Sequence, residues 1–297
     1  MNLPSFLIIG AMKSGTTTLY RDLQSNARIF MPENKEPEAL IHDDVLTDHG
    51  RSRYAALFRR AEPHHVCGEA STAYTKRPTY EGVPQRALAV LGRGLKVIYI
   101  VRDPVSRAIS HHRHLSGLNV LPHDFDKALR GDTTLMDYGC YAMQIEPWIK
   151  TFGHEQVRVV CFERYVRDRE AAIDHLCEFL GVDAESHEVD TARVYNRSEG
   201  KPQMVGIWRV VRGNFLYDRI LRPLLPPAVR ERLRLALLPR EKTPPSPLSA
   251  SAVDRMVEIF AEETARLQKL LGLDEPFWDF EAIRAAHTDG GRATDGG

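Results

Sequence analysis

The chain has 297 residues, 43% apolar and 27% charged, a globular composition that argues against a disordered or membrane-embedded protein. Its 40 basic and 40 acidic residues cancel, so there is no overall pull toward nucleic acid and only local basic patches remain. The apolar run at residues 6–9 is too short for a secretion signal, and no run approaches membrane-spanning length, so the expectation is a cytoplasmic protein.

The first predicted element is a strand, Phe6-Leu7-Ile8-Ile9, ending at Gly10. A small polar loop follows, and from Thr18 a helix is expected to about Asn26. Two prolines within Phe30–Pro37 predict a loop there. Asp48–Arg60 reads as a helix, His65–Ser71 as a short strand leading into a polar turn, and Pro84–Leu91 as a short helix. Leu95–Arg102 is the clearest strand, with a continuous β-branched run suited to a parallel strand covered on both faces. Asp103 and Pro104 supply an N-cap and first residue for the helix that carries Ser110. Further helices are predicted at Phe125–Leu129, Tyr138–Phe152 and Arg169–Leu180, the last stopped by Gly181, with a buried strand at Val157–Phe162.

Beyond Asn196 the character changes. Residues 205–242 carry nine basic and three acidic side chains among apolar ones. Pro244, Pro245 and Pro247 interrupt the chain, and a helix capped by Ser249 or Ser251 is expected to Leu271, ended by Gly272. This pattern predicts one domain over residues 1–283, a basic amphipathic insertion or lid at 205–247, and a disordered tail at 284–297. Strands alternating with helices predict a P-loop-NTPase-like three-layer α/β fold, a central, mostly parallel sheet flanked by helices. The cysteines, Cys67, Cys140, Cys161 and Cys177, have no CxxC spacing and are expected to be reduced, buried thiols.

Strand, glycine-bounded loop and helix together form an anion cradle, because loop amides and the helix N-terminus point positive charge at a phosphate. Gly10 and Gly15 have the spacing of a nucleotide P-loop, but Thr16 stands where such a loop needs its lysine, and the lysine present is Lys13. No strand ends in an acidic residue that would hold Mg²⁺; the strand beside the loop ends in Arg102. The loop therefore suits a 5′-phosphate bearing a less charged group. Arg102, where parallel sheets place ligands, and Ser110, about two helical turns on, form a second phosphate site. Phosphates at both ends of a nucleotide suggest 3′-phosphoadenosine 5′-phosphosulfate (PAPS), with no metal.

Lys13-Ser14-Gly15-Thr16-Thr17-Thr18-Leu19 resembles the 5′-phosphosulfate loop of PAPS-dependent sulfotransferases, and Arg102-Asp103-Pro104-Val105-Ser106-Arg107-Ala108-x-Ser110 resembles their 3′-phosphate motif. The likeness is to the heparan sulfate and Golgi-type branch and its bacterial relatives, over roughly residues 4–203 and again at the final helix and Phe277-Trp278. It implies that Glu36, in Lys35-Glu36-Pro37, is the catalytic base, and that Glu69, Ser71 and Tyr74 belong to a substrate segment. It also implies that Gly200 and Lys201 sit in a late loop closing on the nucleotide. Ala70 stands where the family often has a lysine.

The implied reaction is in-line transfer of a sulfuryl group to a hydroxyl of a carbohydrate, glycolipid or natural product, leaving 3′,5′-adenosine bisphosphate (PAP). Glu36 would take the proton, and Lys13 would stabilise charge on the leaving oxygen. Two alternatives stand beside it: a P-loop small-molecule kinase using ATP, and a non-catalytic nucleotide-binding protein at a membrane. Segment 205–242 suits either a lid or peripheral contact with the inner membrane surface. His111 and His114, at i and i+3, lack an evident third metal ligand and are expected on a solvated or groove-lining face. Nothing in the sequence gives the oligomeric state.

Overall fold

The computed structural model describes residues 2–184, 189 and 248–288. Gly200, Lys201 and segment 205–242 lie outside them. The strands are β1 (Phe6–Gly10), β2 (Ile29–Phe30), β3 (Val66–Ala70), β4 (Lys96–Val101) and β5 (Val157–Cys161). They stand in one sheet in the order β2-β3-β1-β4-β5, with every pairing parallel. The helices are α1 (Thr16–Gln24), α2 (Asp48–Ala55), α3 (Val83–Leu91), α4 (Pro104–Gly117), α5 (Phe125–Gly131), α6 (Thr134–Asp137), α7 (Tyr141–Phe152), α8 (Phe162–Arg167), α9 (Arg169–Leu180), α10 (Ala250–Leu271) and α11 (Phe280–Thr288).

Side chains of the central strands alternate between two cores. Phe6, Ile8, Ile98 and Ile100 pack with Leu19, Tyr20 and Leu23 of α1 and Ile173, Leu176 and Leu180 of α9. Leu7, Ile9, Val97 and Tyr99 face the other way, onto Val83 and Ala87 of α3 and Ile145 and Trp148 of α7. Burial on both faces is why β1 and β4 read as continuous apolar runs. Each such side chain contributes about 1.5–3 kcal/mol. A third cluster joins α4, α5 and α6 to Val253, Met256 and Phe260 of α10.

One register detail bears on the site. Along β1 and β4, Phe6, Leu7 and Ile8 lie opposite Lys96, Val97 and Ile98, but Gly10 lies opposite Tyr99. Ile9 is thus one residue in excess on β1. The Ala11 N–H then donates to the Ile100 carbonyl at 2.7 Å, so the loop after β1 leaves directly beside β4.

Below the loop, α1 is tied to α9 by a buried ion pair. Arg169 donates to Asp22 through Nη2 to Oδ1 at 2.6 Å and Nε to Oδ2 at 2.9 Å. The Tyr165 hydroxyl donates to the same carboxylate, and all three residues are buried.

Several predicted boundaries move. The helix expected at 138–152 starts at Tyr141, as α7, after a turn at Gly139, where a Cβ would come within 2.8 Å of the Phe260 ring; the short α6 precedes it. The helix expected to Arg60 ends at Ala55 and continues as a single 3₁₀ turn, Ala56–Phe58. Ile29–Phe30, partly within the expected loop, pairs with β3 as the sheet's edge. The expected tail begins as helix, since α11 runs to Thr288. Asp103 and Ser249 cap their helices, accepting from the N–H groups of Val105 and Ala252. All four cysteines are free thiols.

Candidate active site

The cradle follows from how β1 passes into α1. Gly15 is the N-cap residue, left-handed at φ 90°, and Lys13 is also left-handed at φ 69°. No acidic residue occupies the first turn of α1, so the helix end keeps its positive field. Ser14 and Thr18 are buried. Lys13 and Thr17 reach the surface, and Thr16 lies just beneath it, its hydroxyl 3.4 Å from Lys35 Nζ.

Arg102 leaves the end of β4 beside this loop. Its guanidinium lies over the Phe162 ring, 5.3 Å from the centroid. The same ring packs against Gly15, where a Cβ would meet it at 2.6 Å. Phe162 therefore stands between the loop and Arg102, and only a glycine fits beneath it. The backbone after Arg102 is pinned: Tyr141 donates its hydroxyl to the Arg102 carbonyl at 2.7 Å, and the Asp103 N–H donates to Glu163 Oε1 at 2.9 Å. Trp278 Nε1 donates to Glu163 Oε2 at 3.0 Å, which brings Phe277-Trp278 to the site. Ser110 lies two turns into α4 and is buried, 7% exposed.

Glu36 sits on a loop that crosses in front of the ends of β1 and β3. Its Oε2 accepts from the Thr72 N–H at 2.6 Å and the Thr72 hydroxyl at 3.1 Å, and its Oε1 pairs with Lys35. The Glu36 side chain keeps 31% of its surface exposed, which leaves the carboxylate open to a substrate. Lys35 reaches Thr16 as well, so it links the Glu36 loop to the cradle. Lys76 is half-buried and in the field of Glu38, Glu36 and Lys35; burial pulls its ammonium below the usual range.

Glu69, Ser71 and Tyr74 do not line a substrate surface as expected. They are 0%, 0% and 2% exposed, packed behind the Glu36 loop. Glu69 Oε2 accepts from the hydroxyls of Tyr54 at 2.6 Å and Tyr74 at 2.9 Å. Desolvation pushes its carboxyl up to about 7, against the pull of these hydrogen bonds. Of the two histidines expected on a solvated or groove-lining face, His114 is exposed but His111 is buried, as is its neighbour His112. His111 stacks on Tyr138, and burial, followed by nearby Arg107, lowers it to about 3. Among the described residues no group of three or more His, Cys, Asp or Glu side chains could hold a metal ion.

Sequence reasoning missed Phe162, Thr72 and Lys76. Glu36 and Thr72 are 36 residues apart, and no periodicity links them. Phe162 was assigned to a strand end as one more buried apolar residue, and nothing local marks it as a spacer.

A family model described as "Sulfotransferase domain" matches residues 3–197. Heparan sulfate glucosamine 3-O-sulfotransferase 3B1 of Mus musculus is 27% identical over 212 residues, covering 67% of this chain and 51% of that protein. Its Homo sapiens counterpart is 26% identical over 212 residues, 67% of this chain and 51% of the relative. The chain thus spans about half the length of these curated relatives. A sulfotransferase structure from Alicyclobacillus acidocaldarius superposes with a TM-score of 0.62 at 24% identity, covering 93% of this chain and 98% of that one, a likeness of fold.

Proposed function

The chain belongs to the sulfotransferase family, and from that premise we propose that it transfers the sulfuryl group of PAPS to a hydroxyl of an acceptor. One observation carries the reading. Two anion-binding points, the Lys13–Thr17 loop and Arg102, leave neighbouring strands, held apart by Phe162, with Glu36 facing them from a third segment. A nucleotide with a phosphate at each end fits this arrangement, since the cradle offers one lysine and helix-end amides and no carboxylate for Mg²⁺.

When bound, PAPS supplies the sulfuryl group, which passes to the acceptor oxygen as the bond from sulfur to the 5′-phosphate oxygen breaks and PAP leaves. Lys13, Thr16, Thr17 and the amides through Thr18 hold the 5′ end, with Ser14 shaping the loop. Arg102 and Ser110 hold the 3′-phosphate, and Gly200 and Lys201 belong to the segment that would close on it. Lys13 stabilises negative charge on the leaving oxygen. Glu36 accepts the proton of the attacking hydroxyl.

The names of the relatives favour a carbohydrate acceptor, and Lys76 adds a cation beside Glu36 suited to an anionic sugar. Free thiols favour a reducing compartment such as the cytoplasm. No helix among the described residues is long and apolar enough to cross a membrane. Membrane contact would rest on 205–242, and flotation with anionic vesicles tests it.

Incubation with ³⁵S-PAPS and a panel of N-sulfated oligosaccharides, glycolipids and phenols is expected to label one class, undiminished by EDTA. Tight PAP binding with no labelled product would favour the binding-protein reading, and ATP-dependent phosphorylation needing Mg²⁺ the kinase reading. Gly15→Ala is expected to weaken PAP binding at least about tenfold by calorimetry, since a left-handed backbone and the Phe162 ring both oppose a Cβ. Unchanged affinity would remove the loop from the site.

A further inference from the structure

We propose that Glu69 is a positioning residue for Glu36: its buried carboxylate orients the hydroxyls that hold the Glu36 loop in place. The inference rests on the reading of Glu36 as the base.

The loop needs holding. Glu36 and Glu38 both have left-handed backbones, at φ 62° and 54°, on either side of Pro37. Side-chain-bearing residues adopt this conformation only where their surroundings impose it. Three pins do so at alternate residues. The Glu36 N–H donates to the Ala70 carbonyl at 2.9 Å, the Glu38 N–H to Ser71 Oγ at 3.0 Å, and the Leu40 N–H to the Tyr74 hydroxyl at 3.3 Å.

Two of these pins are hydroxyls, which can rotate to donate or accept. Glu69 removes that freedom. By taking the Tyr74 hydrogen, it leaves the Tyr74 oxygen only its lone pairs to present to Leu40. Ser71 Oγ, two residues along the chain from Glu69, accepts from the Glu38 N–H. Tyr54 of α2 donates to the same Oε2, so the carboxylate is fixed from a second element. Glu69 Oε1 is buried with no partner among the described residues, which leaves a seat for a proton.

The titratable groups facing Glu69 are Tyr54 on α2, Tyr74 on the turn after β3, and Glu36 on the loop. Burial places Glu69 near neutral, and the charge of Glu36 pushes it in the same direction. As pH falls through about 7, Glu69 gains a proton, and its charge-assisted hold on the Tyr54 and Tyr74 hydroxyls weakens.

The test measures kcat, PAP affinity and pH profile for Glu69→Gln and Tyr74→Phe beside the native protein, using the acceptor labelled most strongly in the ³⁵S panel. Glu69→Gln is expected to keep PAP affinity, lower kcat about tenfold, and lose the acid-limb transition near 7. Tyr74→Phe, which removes one pin and keeps the carboxylate, is expected to lower kcat by a similar factor without moving that transition. A Glu69→Gln protein with native kcat and native pH profile overturns the proposal. So does a kcat loss matched by an equal loss of PAP affinity, which would mean general collapse. Failure of the underlying reading looks different: Glu36→Gln would then retain turnover, whatever the Glu69 variants do.

Discussion

Glu36→Gln is expected to lower kcat by about two to four orders of magnitude and to leave PAP affinity nearly unchanged. The amide matches the carboxylate in shape, and its oxygen can still accept from the Thr72 N–H and hydroxyl. It cannot take a proton from an attacking hydroxyl. Its NH₂ faces Lys35, but Lys35 is 20% exposed and can swing aside, so the local cost stays small. Glu36 reaches Thr16 of the cradle through Lys35 and has no part in holding the phosphates, so nucleotide binding is expected to change little. Single-turnover transfer from ³⁵S-PAPS and PAP calorimetry separate the two effects. Normal turnover in the variant would show that another group removes the proton.

The second large effect concerns stability. Asp22→Ala should lower the unfolding free energy by about 3–5 kcal/mol, read from urea midpoints. The substitution leaves Arg169, 5% exposed, with a buried charge that has lost its bidentate partner, and strands the Tyr165 hydroxyl. Against a total of about 5–15 kcal/mol that is a large fraction. The double variant Asp22→Leu with Arg169→Met should recover much of the loss, because the desolvation cost of both ions disappears together. If Asp22→Ala unfolds at the native midpoint, the pair contributes little and α1 is held by its apolar face alone. Since α1 carries the cradle at its other end, a weakened pair should also raise the PAP dissociation constant.

The parts of the site that could be read in the sequence are those whose geometry is local. Gly10, Lys13 and Gly15 lie within six residues of chain, and strand-loop-helix logic alone fixes their relation. Arg102 follows β4 directly and Ser110 lies on α4 just after it, so one strand-to-helix connection, legible in the sequence, carries both. Glu36 is different. Its loop looks like any proline-bounded connection, and the left-handed backbones at 36 and 38 exist because β3 and the turn after it offer carbonyl and hydroxyl acceptors. Those contacts cross tens of residues and leave no periodic trace. Glu69, Ser71 and Tyr74 are placed in a substrate segment only by the family resemblance, which carries no information on which way their side chains turn. Here they turn inward to support the loop in front of them. The start of α7 at Tyr141 rather than Tyr138 was hidden for a similar reason: Gly139, in the turn before it, is needed by the Phe260 ring, 121 positions away.

The extra residue at Ile9 has a consequence for the spacing of the two anion-binding points. Each hangs from the end of its own strand, β1 or β4, and the two strands slide past one another only in whole residues. One residue of slip moves a strand end by about 3.3 Å, roughly half the length of a ribose with its phosphate. The bulge holds the β1 end back by that single step, since Gly10 lies opposite Tyr99 rather than Ile100, so the sheet's hydrogen-bond ladder sets the offset of the two strand ends before any ligand arrives. The offset between the two loops is thus built into the interior of the sheet, out of reach of surface substitutions.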